Sequence, residues 1–106
     1  YPEIMRLINS QSTDEIEKIY ARFVTGAYYY WGLCKTEKDF RKAFEIIKDC
    51  ADKGHIAAIY DLGANFYYNG NGTDRNHRIA ENYLNIAKQA GLKRAIEKYE
   101  EYLLND

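Results

Sequence analysis

The amino-acid sequence predicts an all-α protein, an α-solenoid of antiparallel helix pairs. Two observations carry that prediction. Apolar residues recur at helical spacing along most of the 106 residues, and no window alternates with period two over the length of a strand. The chain also repeats itself. Ala21, Ala58 and Ala95 lie 37 residues apart, as do Gly26 and Gly63, Tyr29 and Phe66, Thr36 and Thr73, Ala43 and Ala80, and Gly54 and Gly91. One register held over so many positions marks stacked helix pairs, each burying its apolar face on the next.

Ile4, Met5, Leu7 and Ile8 form an i, i+1, i+3, i+4 set after Pro2, which predicts a short amphipathic helix over residues 1–10. Ser12 and Glu15 make a capping box, in which each side chain satisfies a free backbone N–H. The long helix they open carries Ile16, Ile19, Tyr20, Phe23, Val24 and Ala27 to about Trp31, where Gly32 stops it. Thr36 with Asp39 is the expected cap of the next helix, whose inner face is Phe40, Ala43, Phe44, Ile46, Ile47 and Cys50 and whose stop is Gly54. A third helix mixes small residues (Ala57, Ala58, Gly63, Ala64) with aromatics (Tyr60, Phe66, Tyr67, Tyr68), as suits close neighbours on both sides, and ends at the Asn69-Gly70-Asn71-Gly72 loop. Thr73 or Asp74 is expected to cap the fourth helix, with Ile79, Ala80, Tyr83, Leu84, Ile86 and Ala87 inward and Gly91 as its stop. The last helix runs from Leu92 to about Leu104. The expected organisation is one domain: residues 1–12 as helix and connector, 13–54 and 55–91 as two repeats, and 92–106 as a capping helix.

Composition narrows the function. Fifteen basic and 16 acidic side chains leave a net charge of −1, so nothing predicts attraction to nucleic acid or to an anionic membrane. No apolar run approaches the ~18 residues of a membrane span, and no signal peptide is visible. Cys34 and Cys50 form no metal motif and read as reduced thiols. Eleven tyrosines, four phenylalanines and one tryptophan are a surplus of aromatic groups that either pack half-buried or form a binding surface.

The spaced residues Ala21, Thr25-Gly26, Tyr29 and Gly32, then Asp39, Lys42-Ala43, Ile46, Cys50-Ala51, Gly54-His55, Ala58 and Leu62-Gly63, resemble the Sel-1-like repeat, a helix-pair repeat related to the tetratricopeptide repeat. A second copy continues through Phe66, Tyr67, Gly70, Gly72, Ala80, Tyr83, Ala87, Gly91 and Ala95. The resemblance covers about residues 21–99. It implies a right-handed solenoid of two repeats flanked by an N-terminal helix and a half-repeat cap. Thr25 stands for the usual Leu, Cys50 occupies an Ala position, Leu33 and Lys35 occupy the first copy's loop-glycine positions, and Glu100 stands at a packing-glycine position.

No catalytic set assembles. His55 follows the Gly54 stop and reads as a helix start, and His77 reads as a solvent-facing residue of a first helical turn. Neither has a Cys, Asp or Glu at zinc-ligand spacing. The Gly70-Asn71-Gly72 loop lacks the Gly-Lys-Ser/Thr ending of a phosphate-binding loop and reads as a turn. The expectation is a chain without enzymatic activity, metal or cofactor.

In related repeats the first helix of each pair lines a concave face. The resemblance places Tyr20, Phe23, Ala27 and Tyr30 there, then Ala57, Tyr60, Ala64 and Tyr67, and by continuation Arg94, Glu97 and Glu101. Asp61, beside Tyr60, is hard to accommodate in a core and marks the same face as partly exposed. Aromatic groups with few rotors beside small residues and a charged rim have the composition of a protein-binding groove. The alternative is that the rings pack on the N-terminal helix or on one another. The expected function is non-catalytic binding of a protein partner by a monomer, with the bacterial cytoplasm favoured and the periplasm as the alternative. Its specific form would be a small immunity or inhibitor protein that occludes one cognate toxin. The rivals are an adaptor, whole or as a fragment, and a peptide- or peptidoglycan-binding module. The atypical first helix and polar last helix read as true ends.

Overall fold

The structure, a computed structural model, describes Arg6, Ile8 and residues 12–105, without the side chains of residues 99 and 102–105. Of the helix expected over residues 1–10, Arg6 and Ile8 are helical and the rest lies outside the described residues. The described chain is an all-α helical-repeat solenoid: α1 (Thr13–Trp31), α2 (Phe40–Asp52), α3 (Ile56–Asp61) running directly into a π-helical segment (Leu62–Tyr67), α4 (His77–Gln89) and α5 (Lys93–Asn105). The helices pack in sequence, α1 on α2, α2 on α3, α4 on the π segment and α5 on α4.

Ser12 caps α1 as expected, its Oγ accepting from Glu15 N–H at 3.3 Å, and Asp14 and Glu15 place negative charge at the positive end of the helix. Gly32 ends α1 with φ +67, its N–H reaching the Tyr28 carbonyl at 2.8 Å. The other two expected caps are corrected. Asp39, not Thr36, caps α2, accepting from Lys42 N–H at 3.0 Å, and Asn76, not Thr73 or Asp74, caps α4, accepting from Ile79 N–H at 3.1 Å. The cause is tertiary. Asp39 N–H is held by the Tyr29 carbonyl at 2.9 Å and Asn76 N–H by the Tyr67 carbonyl at 2.8 Å, so each loop is tied to the end of the preceding helix before the next begins.

Small residues decide how closely the layers approach. Ala43, Ala58, Ala80, Ala87 and Ala95 have no exposed surface, and among them lie Ile47, Ile59, Leu62, Phe66 and Leu84. A Cβ on Gly63 would sit 2.8 Å from the Ala80 carbonyl oxygen and 2.8 Å from Leu84 Cγ, which brings the π segment onto the backbone of α4. At Gly26 the nearest atom is the flexible Ile47 Cδ1 at 2.7 Å. Cys50 is buried beneath α1, its thiol 3.7 Å from the Ile19 carbonyl, and burial pushes its pKa up, which makes it an inert core group.

The 37-residue register hides a compensated irregularity. Gly26 packs on Ile47 and Gly63 on Leu84, both pairs in register. Beyond them the matching contacts drift: Gly32 N–H bonds Tyr28 O, whereas Gly70 N–H bonds Phe66 O, 38 residues on in each case. The π segment has inserted one residue, and the loop from Gly70 to Asn76 is one residue shorter than that from Gly32 to Asp39. Gly32 therefore corresponds to Gly70, rather than Leu33 standing at that position, and Cys34 (φ +51) and Lys35 (φ +63) share the left-handed turn that Gly72 (φ +74) makes in the second copy. Tyr30 likewise corresponds to Tyr68: Tyr30 packs on Phe40 at 5.0 Å and Tyr68 on His77 at 4.4 Å.

Candidate functional site

A cleft of about 230 Å³ opens where the end of α1, the α3–π helix and the start of α5 meet. Ile47 and Phe66 lie along its wall with Ala27, and Tyr30, Trp31, Tyr60, Asp61, Asn65 and Arg94 supply its chemistry. These groups arrive from four elements. Trp31 is the last residue of α1 and stands 61% exposed, because Gly32 turns the chain away immediately after it. Tyr60 and Asp61 end α3, Asn65 belongs to the π segment, and Arg94 lies in the first turn of α5.

Asp61 is the electrostatic focus. Burial pushes its pKa up to about 6, with Arg94 pulling in the opposite direction. Among the described residues its one hydrogen bond is from Asn65 Nδ2 at 3.4 Å, and no cation approaches it within salt-bridge distance. The Arg94 guanidinium instead lies over the Tyr60 ring, 5.0 Å from its centroid. Burial raises the Tyr60 phenol pKa, Arg94 opposes the shift, and the charges of Asp61, Glu101 and Glu97 add to it. The cleft thus holds Tyr60, Asp61 and Arg94, while the charges of Glu97 and Glu101 act on Tyr60 from outside its lining.

The other expected residues divide. Tyr20 (56% exposed) and Phe23 lie toward the start of α1, where their rings flank His55 at 6.2 and 4.8 Å, away from the cleft. Tyr30 is largely core: its ring is 9% exposed, packs edge-on to Phe66 at 5.1 Å, and its hydroxyl accepts from Asn71 Nδ2 at 2.9 Å. Tyr67 is a correction. It packs between Phe44 and Tyr83, 5.7 Å from each ring, on the side of α2 and α4, because the π insertion rotates it off the face that an uninterrupted α-helix would give it. Trp31 and Asn65 were missed. Trp31 was within reach, since it follows Ala27 by four residues on the same helical face. Asn65 was within reach for the same reason, standing four residues after Asp61.

His55 opens α3 without a side-chain cap, and burial lowers its pKa, favouring the neutral ring. Its Nε2 is buried without a hydrogen-bond partner among the described residues. His77 stacks on Tyr68 and accepts from Arg75 Nε at 3.1 Å. Among the described residues, no three His, Cys, Asp or Glu side chains converge as metal ligands would, and no helix is long and apolar enough to cross a membrane.

A family model described as the Sel1 repeat matches residues 19–55 and again residues 56–92. The chain belongs to the Sel1 repeat family. Comparisons with curated proteins and with solved structures each found no match. Sel1 repeats are protein–protein interaction modules, and the cleft lies where such modules join. Ala27, Trp31 and Ile47 come from the first Sel1 repeat, Tyr60, Asp61 and Asn65 from the second, and Arg94 from the helix that follows it.

Proposed function

We propose that this chain binds one protein partner across the cleft, and that binding inhibits the partner, as an immunity protein neutralises a cognate bacterial toxin. The observation that carries the docking reading is the presence of an exposed indole, Trp31, and a half-buried carboxylate, Asp61, in one opening. A rigid aromatic anchor in the same cleft as a charge with no cation in salt-bridge range among the described residues is the composition of an interface hot spot. The inhibitory form is favoured because the Sel1 pair and the following helix converge on this one cleft, which suits occlusion of a single target. Free thiols at Cys34 and Cys50 fit the reducing bacterial cytoplasm.

The test compares wild type with the Trp31→Ala/Tyr60→Ala double variant, after circular dichroism has shown equal helix content. Wild type should retain one stoichiometric protein from the source cells and the double variant should lose it. The captured protein, expressed alone, should arrest growth and be rescued by co-expression of wild type. Several substoichiometric partners would replace inhibition with an adaptor role. Equal capture by both proteins would place docking elsewhere on the surface.

A further inference from the structure

Asp61 ends α3 at the mouth of the cleft with most of its hydrogen-bonding capacity unused. A carboxylate offers about four acceptor sites. One is taken, by Asn65 Nδ2, at a long 3.4 Å. Taking a carboxylate partly out of water without a cation is unfavourable, and its raised pKa records that cost. Arg94 is the basic side chain of the cleft, yet its guanidinium is engaged with the Tyr60 ring. The open indole of Trp31 lines the same cleft.

We propose that the cleft receives a single arginine side chain of the protein partner, its guanidinium paired with the Asp61 carboxylate and its plane laid on the Trp31 indole. The inference rests on the docking reading above. Size favours one side chain: about 230 Å³ falls below the ~300–1,000 Å³ of ligand pockets but is several times the ~30 Å³ of a water molecule. Charge favours a cation, because an incoming carboxylate would meet Asp61 within the cleft, where the charges of Glu97 and Glu101 already act on the neighbouring Tyr60. Arginine is favoured over lysine because the planar fork matches a carboxylate in two bonds, stacks on an aromatic face and is less strongly hydrated. Arg94 over Tyr60 shows this chain already holding a guanidinium against an aromatic ring in the same opening.

Trp31 is the chain's one tryptophan, so its fluorescence reports directly on the cleft. The experiment titrates the whole protein with Nα-acetyl-arginine amide, with the uncharged near-isostere Nα-acetyl-citrulline amide, and with the lysine and glutamate counterparts. The arginine probe should change the Trp31 emission saturably and bind at least tenfold more tightly than citrulline, with lysine between them and glutamate weakest. Asp61→Asn, which keeps the acceptor for Asn65, should weaken the arginine probe at least tenfold. Should that variant fold poorly, the arginine–citrulline ratio on wild type decides alone. No saturable response, equal binding of arginine and citrulline, or a lysine or glutamate probe that matches arginine overturns the proposal. If Asp61→Asn keeps the captured partner while Trp31→Ala/Tyr60→Ala loses it, the arginine assignment fails and docking stands. If both variants keep the partner, the docking reading itself fails.

Discussion

Replacing Asp61 by Asn should make the protein more stable at neutral pH and change how its stability responds to acid. The magnitude comes from the carboxyl itself, whose pKa moves from 3.8 to about 6 on folding. A shift of about two units corresponds to roughly 3 kcal/mol against the ionised folded state when both states are deprotonated. The sign follows from the direction of the shift. A carboxyl raised on folding binds its proton more tightly in the folded state, so wild type gains stability as pH falls through about 6, completing the gain below 3.8. His55 works oppositely over part of this range. Its folded pKa lies below 6.5, so stability is lost as pH falls from there. Asp49, lowered by Lys53 and Arg22 against the opposing effect of burial, loses its contribution only as pH falls below 3.8. Both contributions are common to the two proteins and cancel in their difference. Urea denaturation followed by circular dichroism at pH 4.5, 6.0 and 7.5 measures that difference. The advantage of the variant should grow by about 2 kcal/mol from pH 4.5 to 7.5, a large part of the ~5–15 kcal/mol that holds a domain folded. Parallel stability curves over that range would show that Asp61 is fully hydrated and that the cleft carries no desolvated charge.

Two further expectations address the scaffold. Gly63→Ala should cost at least about 2 kcal/mol, because the new Cβ meets the fixed Ala80 carbonyl at 2.8 Å. Gly26→Ala should stay within about 1 kcal/mol of wild type, since it meets the movable Ile47 Cδ1 and gains helix propensity. Urea midpoints of the two variants should differ in that order, and the reverse order would refute the account of helix approach. Deleting Asn65 should let the π segment relax to α-helix while Gly63 and Phe66 keep their contacts. Cooperative unfolding and helix content should survive and Trp31 emission should change; loss of cooperative unfolding would show that the π turn is required by the core.

The local rules of the chain were legible because they are local. Helical periodicity, the Ser12 cap and the glycine stops depend on residues within a turn or two of one another, and the regular spacing of Ala21, Ala58 and Ala95 announces the stack. The true caps of α2 and α4 were not legible. Asp39 and Asn76 were selected over Thr36 and Thr73 by backbone hydrogen bonds to Tyr29 and Tyr67, which form only when loop and preceding helix are already in place. The π insertion was hidden for an arithmetic reason: the helix gains one residue and the next loop loses one, so the repeat length is unchanged. That hidden step carried Tyr67 away from the expected face. Asn65 stayed within reach of Asp61, its i−4 neighbour in any helical turn. By itself the sequence determined an all-helical Sel1 stack and much of the cleft's residue set, including Tyr60, Asp61 and Arg94. Tertiary structure alone decided which aromatic rings became core and which carboxylate was drawn partly out of water, because burial and dielectric depend on neighbours from α1, the π segment and α5 that no local pattern brings together.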